Sequence, residues 1–118
     1  MTYVVERLAA WAVDSRSRPL EAGVLHHAKR AVIDWHAAYH PGSVVPPATL
    51  LEKAFPGERD SLRTRALVMG TAAHTEEVDD IFRDGIYHPG APTISAALAV
   101  AKSLNLSGMD FLRAVVVG

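Results

Sequence analysis

Met69-Gly70-Thr71-Ala72-Ala73-His74-Thr75-Glu76-Glu77-Val78-Asp79-Asp80-Ile81-Phe82-Arg83-Asp84-Gly85-Ile86-Tyr87-His88-Pro89-Gly90-Ala91-Pro92 is the stretch that decides how this chain is read. Small residues lead into His74, then into the carboxylates Glu76, Glu77, Asp79 and Asp80. Asp84-Gly85 and Pro89-Gly90 mark a loop, and an alanine-rich helical pattern follows from Thr93 to Leu104. Four carboxylates and two imidazoles between apolar helices point to proton transfer. Carboxylates brought together in a partly desolvated cleft have raised pKa values and become usable proton carriers near neutral pH.

Helical periodicity extends outward in both directions. Val4, Val5, Leu8, Trp11 and Ala12 share one face of a helix over Tyr3 to Asp14. Ser15 to Pro19 breaks it, and the longest helix runs from Leu20 or Glu21 to Tyr39, with Val24, Leu25, Ala28, Val32, Trp35 and Tyr39 as its apolar stripe. Pro41-Gly42 is read as its end, Pro46-Pro47 as the start of a short helix through Phe55, and Pro56-Gly57 as the next turn. A helix then rises from about Arg59 to Ala73, and Ser107 or Gly108 opens the last one. No segment alternates with period two. The fold class is all-α, about six helices in a single domain over residues 1–118, with both tryptophans and the apolar stripes in the core.

Composition narrows the function classes. The chain has 118 residues, enough for a core, and its net charge of −1 gives no nucleic-acid or anionic-membrane footprint. The absence of cysteine excludes disulfides and thiolate zinc sites. No apolar run approaches the roughly 20 residues that cross a bilayer, and no signal-peptide pattern is present, so a cytoplasmic location is expected. Phe111 to Gly118 ends inside an apolar helical pattern. That ending is read as the N-terminal piece of a larger enzyme, or a shortened relative, whose first, second and last helices carry broad apolar faces.

Within the acidic stretch, helical spacing would put His74, Glu77 and Asp80 on one face and turn Asp79 elsewhere. Pro89 restricts His88 to extended backbone, and Gly90 leaves space beside it. A helix starting at Pro92 or Thr93 would offer free N–H groups to an anion next to His88. Elsewhere, His26 and His27 are adjacent on the long helix. His36 and His40 are spaced i, i+4, as a helix C-terminus or a metal pair requires.

Gly70-Thr71-Ala72-Ala73-His74, Glu77-Val78-Asp79-Asp80, His88-Pro89 and the helix Ile94 to Ala101 resemble the MmgE/PrpD family, as do Ala28 to Asp34 upstream and Ser107 to Gly118 downstream. The family includes 2-methylcitrate dehydratase, cis-aconitate decarboxylase and iminodisuccinate epimerase. The resemblance implies the N-terminal part of a helical domain, a homodimer, and lyase or isomerase chemistry on a small di- or tricarboxylate without metal or organic cofactor. A proton next to a carboxylate would be removed, followed by loss of water, loss of CO₂ or reprotonation. Asp80 and His88 are the expected acid/base pair, with His74, Glu77, Asp79 and Gly90 positioning them or the substrate. The family's basic residues would lie beyond Gly118, leaving a chain of this length inactive by itself. Glu77 stands where the family usually has Asp, and Trp35 to Tyr39 is bulkier than the family's stretch there. The rival class is a non-catalytic helical module whose acidic loop binds a partner or a metal through His74, Glu77, Asp80 and His88.

Overall fold

The computed structural model describes residues 3–118. Among the described residues six helices follow in order: α1 (Val4–Ser15), α2 (Ala22–Gly42), α3 (Ala48–Ala54), α4 (Leu62–Thr75), α5 (Gly90–Ser103) and α6 (Gly108–Val117). The only β-type pairing among the described residues is an isolated bridge between Phe82 and Tyr87. The all-α expectation holds.

Local chemistry sets several ends. Ser61 caps α4 by accepting from the Thr64 N–H at 3.1 Å, and Ser107 caps α6 by accepting from the Asp110 N–H at 3.1 Å. Along α2 the buried residues Ala28, Trp35, Ala38 and Gly42 form one stripe. Trp35 stacks nearly parallel on Tyr39 one turn later, with ring centroids 5.0 Å apart.

α2, α4 and α5 build the core. Trp35, Ala73, Ala91 and Ile94 form its centre, and Met69, Leu98, Phe111 and Val115 pack against it from α4, α5 and α6. The indole Nε1–H of Trp35 donates to the Ser95 hydroxyl at 3.1 Å, tying α2 to α5 through a buried hydrogen bond. Ala72 and Ala73 are fully buried, because small residues let these helices approach closely.

Three sequence expectations change. Pro41-Gly42 does not follow the long helix but forms its last turn, since α2 runs through Gly42. Gly42 is buried against the carbonyl of Ala72, where a Cβ has no room, so it marks a helix crossing. The fifth helix begins at Gly90, before Pro92 and Thr93, with Pro89 as its N-cap residue. Trp35 is core, but Trp11 is 49% exposed and α1 buries no residue. Periodicity identifies an apolar face and cannot say whether another helix covers it.

Candidate functional site

The candidate site is the loop between α4 and α5. After Thr75 the chain leaves helical geometry, and Glu77 takes a positive φ of 51° that redirects the backbone. Phe82 and Tyr87 then pair across a tight turn, where the Phe82 N–H donates to the Tyr87 carbonyl at 2.8 Å. Ile86 in that turn also has φ 51°, a strained conformation for a β-branched residue. The turn returns His88 to the end of α4 that carries His74.

Asp79 lies between the two histidines. Its side chain is 1% exposed. The His74 Nδ1 lies 3.2 and 3.1 Å from the Asp79 Oδ1 and Oδ2, and the His88 Nδ1 is 3.4 Å from Oδ1. The imidazole centroids are 4.5 Å apart. A carboxylate offers acceptors only, so it selects the Nδ1–H form of the ring it binds and turns Nε2 away as a free acceptor. His74 makes this hydrogen bond. The His88 Nδ1 is buried and within ion-pair distance, yet misaligned for a hydrogen bond. Such an unpaired buried donor costs about 1–3 kcal/mol.

Asp80 does something else. Both its oxygens accept from the Gly90 N–H, at 3.0 and 3.2 Å, closing the loop onto the first turn of α5. A Cβ at Gly90 would come within 2.5 Å of the Asp80 Oδ1, so the clasp requires glycine. Burial raises the Asp80 pKa above its ordinary 3.8; the Gly90 N–H opposes this, Asp34 and Asp79 reinforce it, and His88 opposes it.

A raised folded pKa means that ionised Asp80 costs stability above that pKa, and the cost disappears as pH falls through it toward 3.8. Asp80→Asn, which keeps an acceptor for Gly90, is therefore expected to be no less stable than the parent at pH 7. Asp80→Ala orphans the buried N–H and should lose about 1–3 kcal/mol. Urea midpoints at neutral and acid pH check both, the parent drawing level with Asp80→Asn in acid. Equal losses for the two variants would show that the clasp has no energetic weight.

His74 and His88 line a cleft of about 650 Å³, together with Pro47, Leu67, Thr71 and Tyr87. Its wall is mostly apolar carbon. Thus the structure brings His74, Asp79 and His88 together, with Gly90 and Asp80 holding the loop beneath. It does not bring in Glu77, which is exposed and takes no part in the ion pairs of the cluster. The expected shared face of His74, Glu77 and Asp80 fails because α4 ends at Thr75 and helical spacing stops applying. The Gly90 N–H is already bound by Asp80, so the expected anion corner at the head of α5 loses that donor. Thr71 and Tyr87 were not singled out from sequence. Thr71 precedes His74 by three on the same helix, a spacing that could have revealed it.

The donor set for a metal changes as well: His74, Asp79 and His88 place their donor atoms within 4.8 Å of one another, without Glu77 or Asp80.

No curated protein and no solved structure matches the chain. The family model described as the MmgE/PrpD N-terminal domain matches residues 6–118. That span contains the whole loop, both helices that carry it and the core behind them, and so the chain belongs to the MmgE/PrpD family through its N-terminal domain.

Proposed function

We propose that this domain supplies the base-bearing wall of a lyase or isomerase active site for a small di- or tricarboxylate. The observation that carries this reading is a buried carboxylate facing the Nδ1 atoms of two imidazoles that line one cleft. His88 accepts, at Nε2, a proton from the substrate carbon next to a carboxylate. The resulting imidazolium keeps its Nδ1–H toward Asp79, whose negative charge stabilises it in a poorly solvated setting. The same proton then assists loss of hydroxide as water, or a proton is delivered to the opposite face of the carbon to complete epimerisation. In a decarboxylation no C–H proton is taken, and the imidazolium instead protonates the carbanion left by loss of CO₂. His74 shares Asp79 and lies close enough to relay the proton. Asp80, expected with His88 as the acid/base pair, acts in this reading by fixing the start of α5 and with it His88.

The apolar wall formed by Pro47, Leu67 and Pro92 suits the hydrocarbon part of the substrate. None of the lining residues is Lys or Arg, so the reading assigns the cations for the substrate carboxylates to other parts of a cytoplasmic homodimer. Protein expressed from the entire reading frame is to be assayed with citrate-like, aconitate-like and iminodisuccinate-like acids, with and without a chelator. Turnover of one of them, unaffected by the chelator, is expected. Inactivity toward all three in folded, assembled protein would overturn the reading.

A further inference from the structure

We propose that His74, Asp79 and His88 form a three-ligand site for a divalent transition-metal ion of the zinc class, and that its occupancy switches the imidazoles off as bases. The second half rests on the proton-transfer reading above; the first half does not.

Several independent features point to the ion. Tetrahedral zinc, with nitrogen and oxygen ligands at about 2.0–2.1 Å, has donor-to-donor edges of about 3.3 Å. Here the Asp79 oxygens lie 3.1 Å from the His74 Nδ1 and 3.4 Å from the His88 Nδ1, and all three donors fit within 4.8 Å. The His88 Nδ1 is buried without a hydrogen-bond partner, so when the ring carries its proton on Nε2 the Nδ1 lone pair has neither a donor nor a cation to meet. Asp79 is buried and supplies the one negative charge. The His74 side chain is 47% exposed and enters the cluster through the Nδ1 that faces Asp79. Two imidazoles and one carboxylate suit zinc, copper or iron better than calcium or magnesium. Three protein ligands leave a further position open toward the cleft that both rings line.

The chemical consequence follows from proton bookkeeping. A neutral imidazole carries one ring proton. When the ion takes the Nδ1 lone pair, that proton resides on Nε2, which no longer has a lone pair to receive a proton from substrate. No bond to substrate breaks and no electron moves. The ion acts as a reversible block.

The test is titration of the full chain with Zn²⁺ alone, by calorimetry, with bound metal counted after gel filtration. One ion per chain with a micromolar or tighter Kd is expected. His74→Ala and Asp79→Asn should each weaken binding at least about tenfold, while the double variant His36→Ala/His40→Ala should leave it unchanged. The latter pair, stacked 5.9 Å apart on α2, is the rival surface chelate. His74→Ala alters a half-exposed side chain, so it remains decisive if Asp79→Asn fails to fold. Absence of stoichiometric binding, or binding lost with His36 and His40, overturns the site. In protein active on one of the polycarboxylates, Zn²⁺ should suppress turnover and a chelator restore it. Stoichiometric binding with undiminished turnover overturns the switch.

Discussion

His88→Ala lowers turnover on the protein's substrate by about a hundredfold to ten-thousandfold, the range for loss of a positioned general base and about 3–5 kcal/mol in activation free energy. His88 lines the cleft and its other ring nitrogen faces a buried carboxylate, so no neighbour takes over its position without rearrangement. Asp79→Asn is expected to approach the same loss without touching substrate. The asparagine lacks the charge that stabilises the imidazolium, and its NH₂ meets ring nitrogens that already carry protons. The loss should fall on kcat with KM little changed. Ring ¹⁵N spectra should show at least one histidine moving from the Nδ1–H to the Nε2–H form. Near-parental turnover in folded His88→Ala removes His88 from the chemistry, and altered kcat with unaltered ring spectra reduces Asp79 to a packing role.

The second large effect is on stability. Trp35→Ala empties the centre of the core, where the side chain is 2% exposed, stacks on Tyr39 and donates to Ser95. Loss of about 3–5 kcal/mol is expected, a large part of the 5–15 kcal/mol that ordinarily holds a domain together. Trp35→Phe keeps much of the volume and forfeits the indole N–H, for a smaller loss of about 1–3 kcal/mol at the buried Ser95 hydroxyl. Urea titrations give both values. Losses below about 1 kcal/mol for the alanine variant would mean that Trp35 is not central to the fold.

The helices were readable because their signals are local. Ser107 stands where the last helix opens, and apolar spacing marks α2 as a single long element, whereas the fourth helix, expected from about Arg59, starts only after its Ser61 cap. What sequence could not supply depends on contacts between distant segments. Gly42 looks like a terminator until Ala72 is seen against it. Gly90 looks like loop punctuation until Asp80 is found on its amide. In the acidic stretch the residue types marked the segment, but helical spacing was carried past Thr75 into a loop. Asp79 became the buried centre and Glu77 went to the surface. Burial of a loop carboxylate follows from convergence of α4 and α5, which no short window of sequence displays.

The unequal settings of α1 and the core have a spectroscopic consequence. The chain has two tryptophans: Trp11 stands 49% exposed on a helix that buries nothing, and Trp35 is sealed between α2 and α5. Intrinsic emission is therefore the sum of a red, water-relaxed component and a blue, shielded one. Fraying of α1 changes the first and leaves the second untouched, so only the blue component tracks loss of the core. A melting curve drawn from total intensity mixes two events, and a Trp11→Phe background turns Trp35 into a single reporter for the folded cluster behind the site.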